Sequence, residues 1–381
     1  VTDQPGAGSA PELVTCNHCG AAVPQGAFCG SCGAHLGEGG SRARSTAYAA
    51  SPHEHLVHSS VVTTLFPHLP HRQSHVFREA LVAGVAIVIL LAALRLVAPA
   101  TLVAVLLLPV LYLLYLYESE VYETEPVQVL GLTLVTGGVL GWVYVLIADH
   151  LTTATITGTQ QGVLVSGVLL PVVALLLMLA GPLVLLSRPR FVEILDGLTF
   201  GVASALGFTL VAVVTASWHF FTGPLVGGVA GDDVLRIVRD GILAGLVNAG
   251  TAGIITAALW LHVHQPPAAA SARPFWRSLP AAIALAFAVQ IGLGVASYHV
   301  PSLLGLVILW AAAAALMLVL VRVVLHFGLL EETTERAIGP QVPCTECHRM
   351  VPDTLFCSHC GAARRAMPKH ARPPRPPEAA A

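Results

Sequence analysis

Charge is what this sequence lacks. Only 10% of its 381 residues are charged, against about 25% in soluble domains, and Lys369 is its single lysine. No acidic residue occurs from 161 to 187, and neither Lys nor Arg from 1 to 41. The first shortage excludes a soluble domain of ordinary size. The second leaves the middle of the chain without a carboxylate to bind metal or activate water. The third leaves the N-terminal segment without the cations that neutralise phosphates, so nucleic-acid binding there is not expected. Residues 1–60 also lack an apolar core flanked by positive charge, so the first membrane helix is expected to direct its own insertion.

Apolar runs take the place of charge. Hydrophobic residues make up 55% of the chain, with a mean hydropathy of +0.76. A helix needs about 20 apolar residues to cross the hydrocarbon layer, and 163–186, 197–221, 241–261 and 302–327 each meet that length. Backbone polar groups must pair internally in lipid, so such runs are helical. The expected fold class is an all-α membrane protein, a bundle of about eight transmembrane helices with two small cytoplasmic zinc ribbons. The helices are expected over 80–98, 101–117, 127–148, 163–186, 197–221, 241–261, 280–298 and 302–327, with Ala98-Pro99-Ala100 as the first turn. The sixth is started at Gly241 to keep Arg236, Arg239 and Asp240 at the surface. An ionised side chain costs roughly 2.5–3.5 kcal/mol at a helix centre.

Eight spans put both ends of the chain on one side. Arg72, Arg78, Arg188, Arg190, Arg273, Arg277, Arg322 and Arg336 lie at ends on that side, and Arg236, Arg239 and Arg95 oppose them. Positive residues favour the cytoplasm, so a multi-pass protein of a prokaryotic plasma membrane with cytoplasmic termini is expected. Its domains read as a ribbon over 1–40, a histidine-rich linker over 41–79 and the membrane domain over 80–327. A linker over 328–342, a second ribbon over 343–363 and a Pro- and Arg-rich tail over 364–381 follow.

The eight cysteines form two quartets of one spacing, C-x2-C, nine residues, C-x2-C. Cys16, Cys19, Cys29 and Cys32 make the first, and Cys344, Cys347, Cys357 and Cys360 the second. Two cysteines at i and i+3 in a tight turn present both sulfurs to one ion, and a second such turn completes a tetrahedron. Gly33 and Gly361 follow the fourth cysteine and allow a left-handed turn. Two structural zinc ions are the expected cofactors, since disulfides do not suit a cytoplasmic compartment. The ribbons share a side, and pack either on each other or on one partner. The histidines at 53, 55, 58, 68, 71 and 75 have irregular spacing and read as a polar juxtamembrane linker.

The segment 191–208, FVEILDGLTFGVASALGF, carries Gly197, Gly201, Ala205 and Gly207 on faces suited to close helix packing. Its Asp196-Gly197, Phe200-Gly201 and Leu206-Gly207-Phe208 resemble the core of the PrsW-type intramembrane proteases. Glu125-Pro126 with Gly137, and Asn248-Ala249 with Thr251, resemble that family elsewhere. The resemblance implies peptide hydrolysis inside the bilayer by paired glutamates, a further glutamate and a histidine. Carried over position by position, each of these is missing. Ala174 and Leu175 stand for the glutamate pair, Met178 for the basic residue, Ala212 for the further glutamate and Asn248 for the histidine, with Ala252 four residues on.

No catalytic residue is therefore assigned, and three functions are set against one another. The first is a non-catalytic scaffold or sensor whose partners are the bilayer, a transmembrane helix of another protein, and a cytoplasmic protein at the ribbons. The second is a protease using Glu193, Asp196, His219 and Asn248. The third is a transporter or channel, suggested by helix breaks at Gly137-Gly138, Pro171 and Gly181-Pro182.

Overall fold

The computed structural model describes residues 13–17, 20–31, 33–36, 75–118, 127–154, 159–188, 191, 194–222, 231–264, 278–331, 338–344 and 347–362. The chain forms two compact units. One is Ser74–Glu118 with Thr124–Leu325, and the other is assembled from the two ends of the chain.

The first unit is a helical bundle. Its helices are α1 (His75–Ala93), α2 (Val97–Glu118), α3 (Val127–Ala154), α4 (Leu170–Leu186), α5 (Ile194–Ala216), α6 (Ala244–His264), α7 (Leu279–His299) and α8 (Leu303–Glu331). Two of them are entered through π-helical turns, Val163–Leu169 before α4 and Ile237–Leu243 before α6. Eight described helices are long and apolar enough to cross a membrane, as expected of a multi-pass integral membrane protein. Large apolar side chains face outward around the bundle, among them Val82, Leu164, Val184 and Ile308. That is the surface a bilayer covers.

Helix ends depart from expectation in two informative places. The first turn lies at Leu94–Leu96, not at Pro99. There Arg95 takes a left-handed backbone (φ 62°) and the Leu96 N–H donates back to the Leu91 carbonyl at 2.9 Å, a helix stop normally made with glycine. Pro99 instead sits in the first turn of α2, where its missing N–H has no helical partner to lose. The sixth span begins at Asp232 rather than Gly241. Arg239 and Asp240 neutralise each other there, Nε to Oδ1 at 2.7 Å and Nη2 to Oδ2 at 2.9 Å, so helix continues through the charges.

Helix α5 is the centre of the bundle. It packs on α3, α6, α4 and α2, and Asp196 through Gly201 and Ala203 through Thr209 are all buried. Gly137 and Gly141 on α3 leave room for the Ser204 and Phe208 carbonyl oxygens of α5, and Gly207 on α5 receives the Leu134 carbonyl of α3. On the α6 side, Gly201 accommodates Thr256 and the Ala252 carbonyl, and Gly197 lies beneath the Trp260 ring. The small faces expected from sequence are thus where helix backbones meet, as in small-xxx-small membrane packing. Trp260 Nε1 donates to the Phe191 carbonyl at 3.0 Å and fixes the entry to α5.

The second unit contains the ribbons. Strands β1 (Leu13–Thr15) and β2 (Ala22–Pro24) pair antiparallel, as do β3 (Gln341–Pro343) and β4 (Met350–Pro352). Strand and cysteine positions coincide between the two copies. The ribbons also touch: the Phe28 N–H donates to the Ser358 carbonyl at 3.0 Å, and the Phe356 N–H to the Gly30 carbonyl at 3.0 Å. Of the two packings open from sequence, this is mutual contact.

Candidate metal centres and the polar interior of the bundle

Each C-x2-C pair sits on a turn of one design. The Gly20 N–H donates to the Cys16 carbonyl and the Gly33 N–H to the Cys29 carbonyl, both at 2.8 Å. His348 and Gly361 repeat this on Cys344 and Cys357 at 2.8 and 2.9 Å. The residue after the second cysteine is left-handed in all four turns, with φ of 71° at Gly20 and Gly33, 75° at Gly361 and 57° at His348. His348 alone bears a side chain there, at a cost of about 1–2 kcal/mol for an L-residue. His348→Gly is expected to make the C-terminal ribbon about 1 kcal/mol more stable, measured as slower metal loss to a chelator.

In the C-terminal quartet the four sulfurs lie within 4.8 Å of one another. Cys344 Sγ is 3.8 Å from Cys360 Sγ, and Cys347 Sγ is 3.8 Å from Cys357 Sγ. A disulfide requires about 2.05 Å, so these are not bonded pairs. A tetrahedral ion held at about 2.3 Å from each sulfur places the sulfurs about 3.8 Å apart. The quartet fits a metal ion. Hydrogen bonding with the Cys344 sulfur, followed by burial, pushes the Cys357 thiol up to about 12, and the Cys344 contact raises Cys360 as well. Sulfurs this crowded keep their protons unless a cation replaces them.

In the N-terminal quartet Cys16 and Cys29 are buried, and the Ser31 N–H points at Cys29 Sγ from 3.4 Å. Cys19 and Cys32 lie outside the described residues, so the structure shows half of this quartet.

Within the bundle, Ala174, Leu175, Met178, Phe208, Ala212 and Ala252 meet in one buried apolar cluster completed by Ala205, Ile255 and Ala286. Asn248 lies one turn from Ala252 on α6 and belongs to a polar network. Its Nδ2 donates to Thr209 Oγ1 at 2.9 Å, and Gln290 Nε2 donates to Asn248 Oδ1 at 2.8 Å and to Thr251 Oγ1 at 3.0 Å.

Compared with family models, curated proteins and solved structures, the chain matches none.

Of the side chains weighed for an unorthodox protease, Asp196 and His219 lie far apart. Asp196 is buried in the first turn of α5, whereas His219 lies beyond its far end in the short helix Trp218–Thr222. Twenty-odd residues of helix separate them by roughly 30 Å. Glu193 lies outside the described residues. His219 instead lines a cavity of about 530 Å³ together with Asp233, Arg236, Arg239, Asp240 and Ser297. Among the described residues these charged groups lie together at one end of the bundle, while the network around Asn248 is made of amides and hydroxyls.

Gln290 escaped the sequence reading, although an amide in an otherwise apolar span is itself a signal of an interhelical bond. Arg322 lies near the end of its span, Leu303–Leu325, where it is 3% exposed, and among the described residues none of its three guanidinium nitrogens has a hydrogen-bond partner. Replacing a buried, unpaired charge by an apolar chain of similar length removes a desolvation penalty. Arg322→Met is expected to stabilise the bundle by about 1–3 kcal/mol, measured by unfolding in detergent. Destabilisation would reveal an anionic partner for Arg322.

Proposed function

We propose that this chain is a non-catalytic membrane scaffold or sensor built on a PrsW-like bundle. One zinc ion sits in each cysteine quartet, and both ends lie in the cytoplasm. The observation that carries this reading is the apolar cluster of Ala174, Leu175, Met178, Phe208, Ala212 and Ala252. These are the positions that the family resemblance assigns to catalytic groups or their flank. They are distant in sequence, converge in space, and offer no base, acid or ligand. Such chemistry needs ionisable groups within hydrogen-bond reach of the substrate, and side chains of this kind pack instead.

A scaffold of this build retains a helical groove for a transmembrane segment of another protein, and ribbons able to receive a cytoplasmic partner. The cavity beside Arg236 gives the sensor reading a place for a ligand. The test uses the purified full chain in lipid. About two zinc ions per chain and no cleavage of a helical membrane substrate are expected. Chelator-sensitive cleavage would overturn the reading, as would a metal ion that survives the combined Cys16→Ser and Cys344→Ser changes.

A further inference from the structure

The contact between the ribbons has an internal symmetry. Phe28 and Phe356 each precede the third cysteine of their quartet, and Gly30 and Ser358 each follow it. The two hydrogen bonds exchange these equivalent residues, Phe28 N–H to Ser358 and Phe356 N–H to Gly30, both at 3.0 Å. Small residues permit the approach. A Cβ on Gly26 would stand 2.5 Å from the Ser358 carbonyl oxygen, one on Gly30 would stand 2.8 Å from Thr354 Oγ1, and one on Gly361 would stand 2.8 Å from the Phe28 ring. Phe28, Phe356 and Ser358 are buried.

We propose that the C-terminal ribbon carries a docking edge for a second ribbon, that the N-terminal ribbon of the same chain occupies it, and that occupancy requires metal in both quartets. The inference rests on the metal reading given above. Its physical basis is that every donor and acceptor of the contact lies next to Cys29 or Cys357. Metal binding fixes those backbones, because segments this small have too little core to fix them unaided. Two backbone hydrogen bonds and two buried rings are a small contact for separate molecules. Covalent attachment raises the effective concentration to about millimolar, which lets a small contact close. Metal would thus control whether the two ends of the chain are held together.

The test is energy transfer between labelled unnatural amino acids at Val14 and Met350, which are 39% and 62% exposed. It uses the full chain in nanodiscs, with metal content measured on each sample. Transfer is expected to be high with two metal ions bound and to fall when a chelator removes them. Gly26→Val is expected to abolish transfer while both ions stay bound, because its clash is with a backbone oxygen of the partner ribbon; Gly30→Val should repeat this. Retained transfer in both variants would remove the docking edge. Transfer that survives chelation would remove the metal requirement and leave the docking intact. Transfer between singly labelled copies would make the occupant a neighbouring chain and overturn the same-chain assignment. A chain that never binds metal yet pairs would sink the zinc reading instead.

Discussion

Cys344→Ser is expected to strip the C-terminal quartet of metal and unfold residues 338–362, while the helical bundle keeps its structure. The buried core of that ribbon is Cys344, Val351, Cys357, Cys360 and Ala362, so three of its five members are cysteines of the candidate metal site. Beyond that cluster, the described residues hold it with the short β3–β4 pair, turn hydrogen bonds such as Gly339 N–H to the Asp353 carbonyl, and the contact with the other ribbon. Structural zinc in small domains contributes about 10–16 kcal/mol at neutral pH, well beyond what such a core supplies. Loss of one ligand is therefore expected to lose the fold, measured as one metal ion fewer per chain and rapid proteolysis after 338. Helical circular dichroism should stay unchanged.

The same site carries a pH dependence. In the metal-free ribbon the Cys357 thiol lies near 12 and Cys360 is raised too, against about 8.5 in an unfolded chain. Metal binding must expel those protons, so apparent affinity is expected to fall as pH drops. A chelator titration at several pH values checks this slope.

Much of this architecture can be read from the sequence, because its two strongest signals are local. A span is a run of apolar residues whatever its neighbours do, and a metal turn is a C-x2-C pair with a left-handed residue behind it. Gly33 and Gly361 show that second signal directly, whereas His348 conceals it. Signals that depend on a neighbour are less legible. Arg95 stops α1 through a conformation that its side chain does not favour, so the visible proline four residues later drew the turn instead. Arg239 and Asp240 look too costly for a helix when counted singly, yet as a forked pair they allow it. The pairing of Phe28 with Ser358 has no sequence signature, since both groups are backbone. Ala174, Ala212 and Ala252 stand out in sequence as replaced positions, but their meeting in one cluster is visible only in the fold.

The central helix offers a prediction of opposite signs from one substitution. Gly131 and Gly137 both lie on α3, but a Cβ on Gly131 meets nothing within 4 Å, while one on Gly137 runs into the Ser204 carbonyl of α5. Gly131→Ala is expected to stabilise the bundle by about 0.5–1 kcal/mol through reduced backbone freedom. Gly137→Ala faces a backbone atom rather than a pliant side chain, so α3 and α5 must move apart. Gly141 and Gly207 hold the same interface against the Phe208 and Leu134 carbonyls, and separation opens gaps at both. Overpacking of this kind costs roughly 1–3 kcal/mol, and more where backbone must shift, so about 3 kcal/mol is expected for Gly137→Ala and more for Gly137→Val. Unfolding in mixed detergent, compared across the three variants, reads the difference. Equal effects at positions 131 and 137 would show that backbone freedom, and not contact with α5, sets the stability of α3.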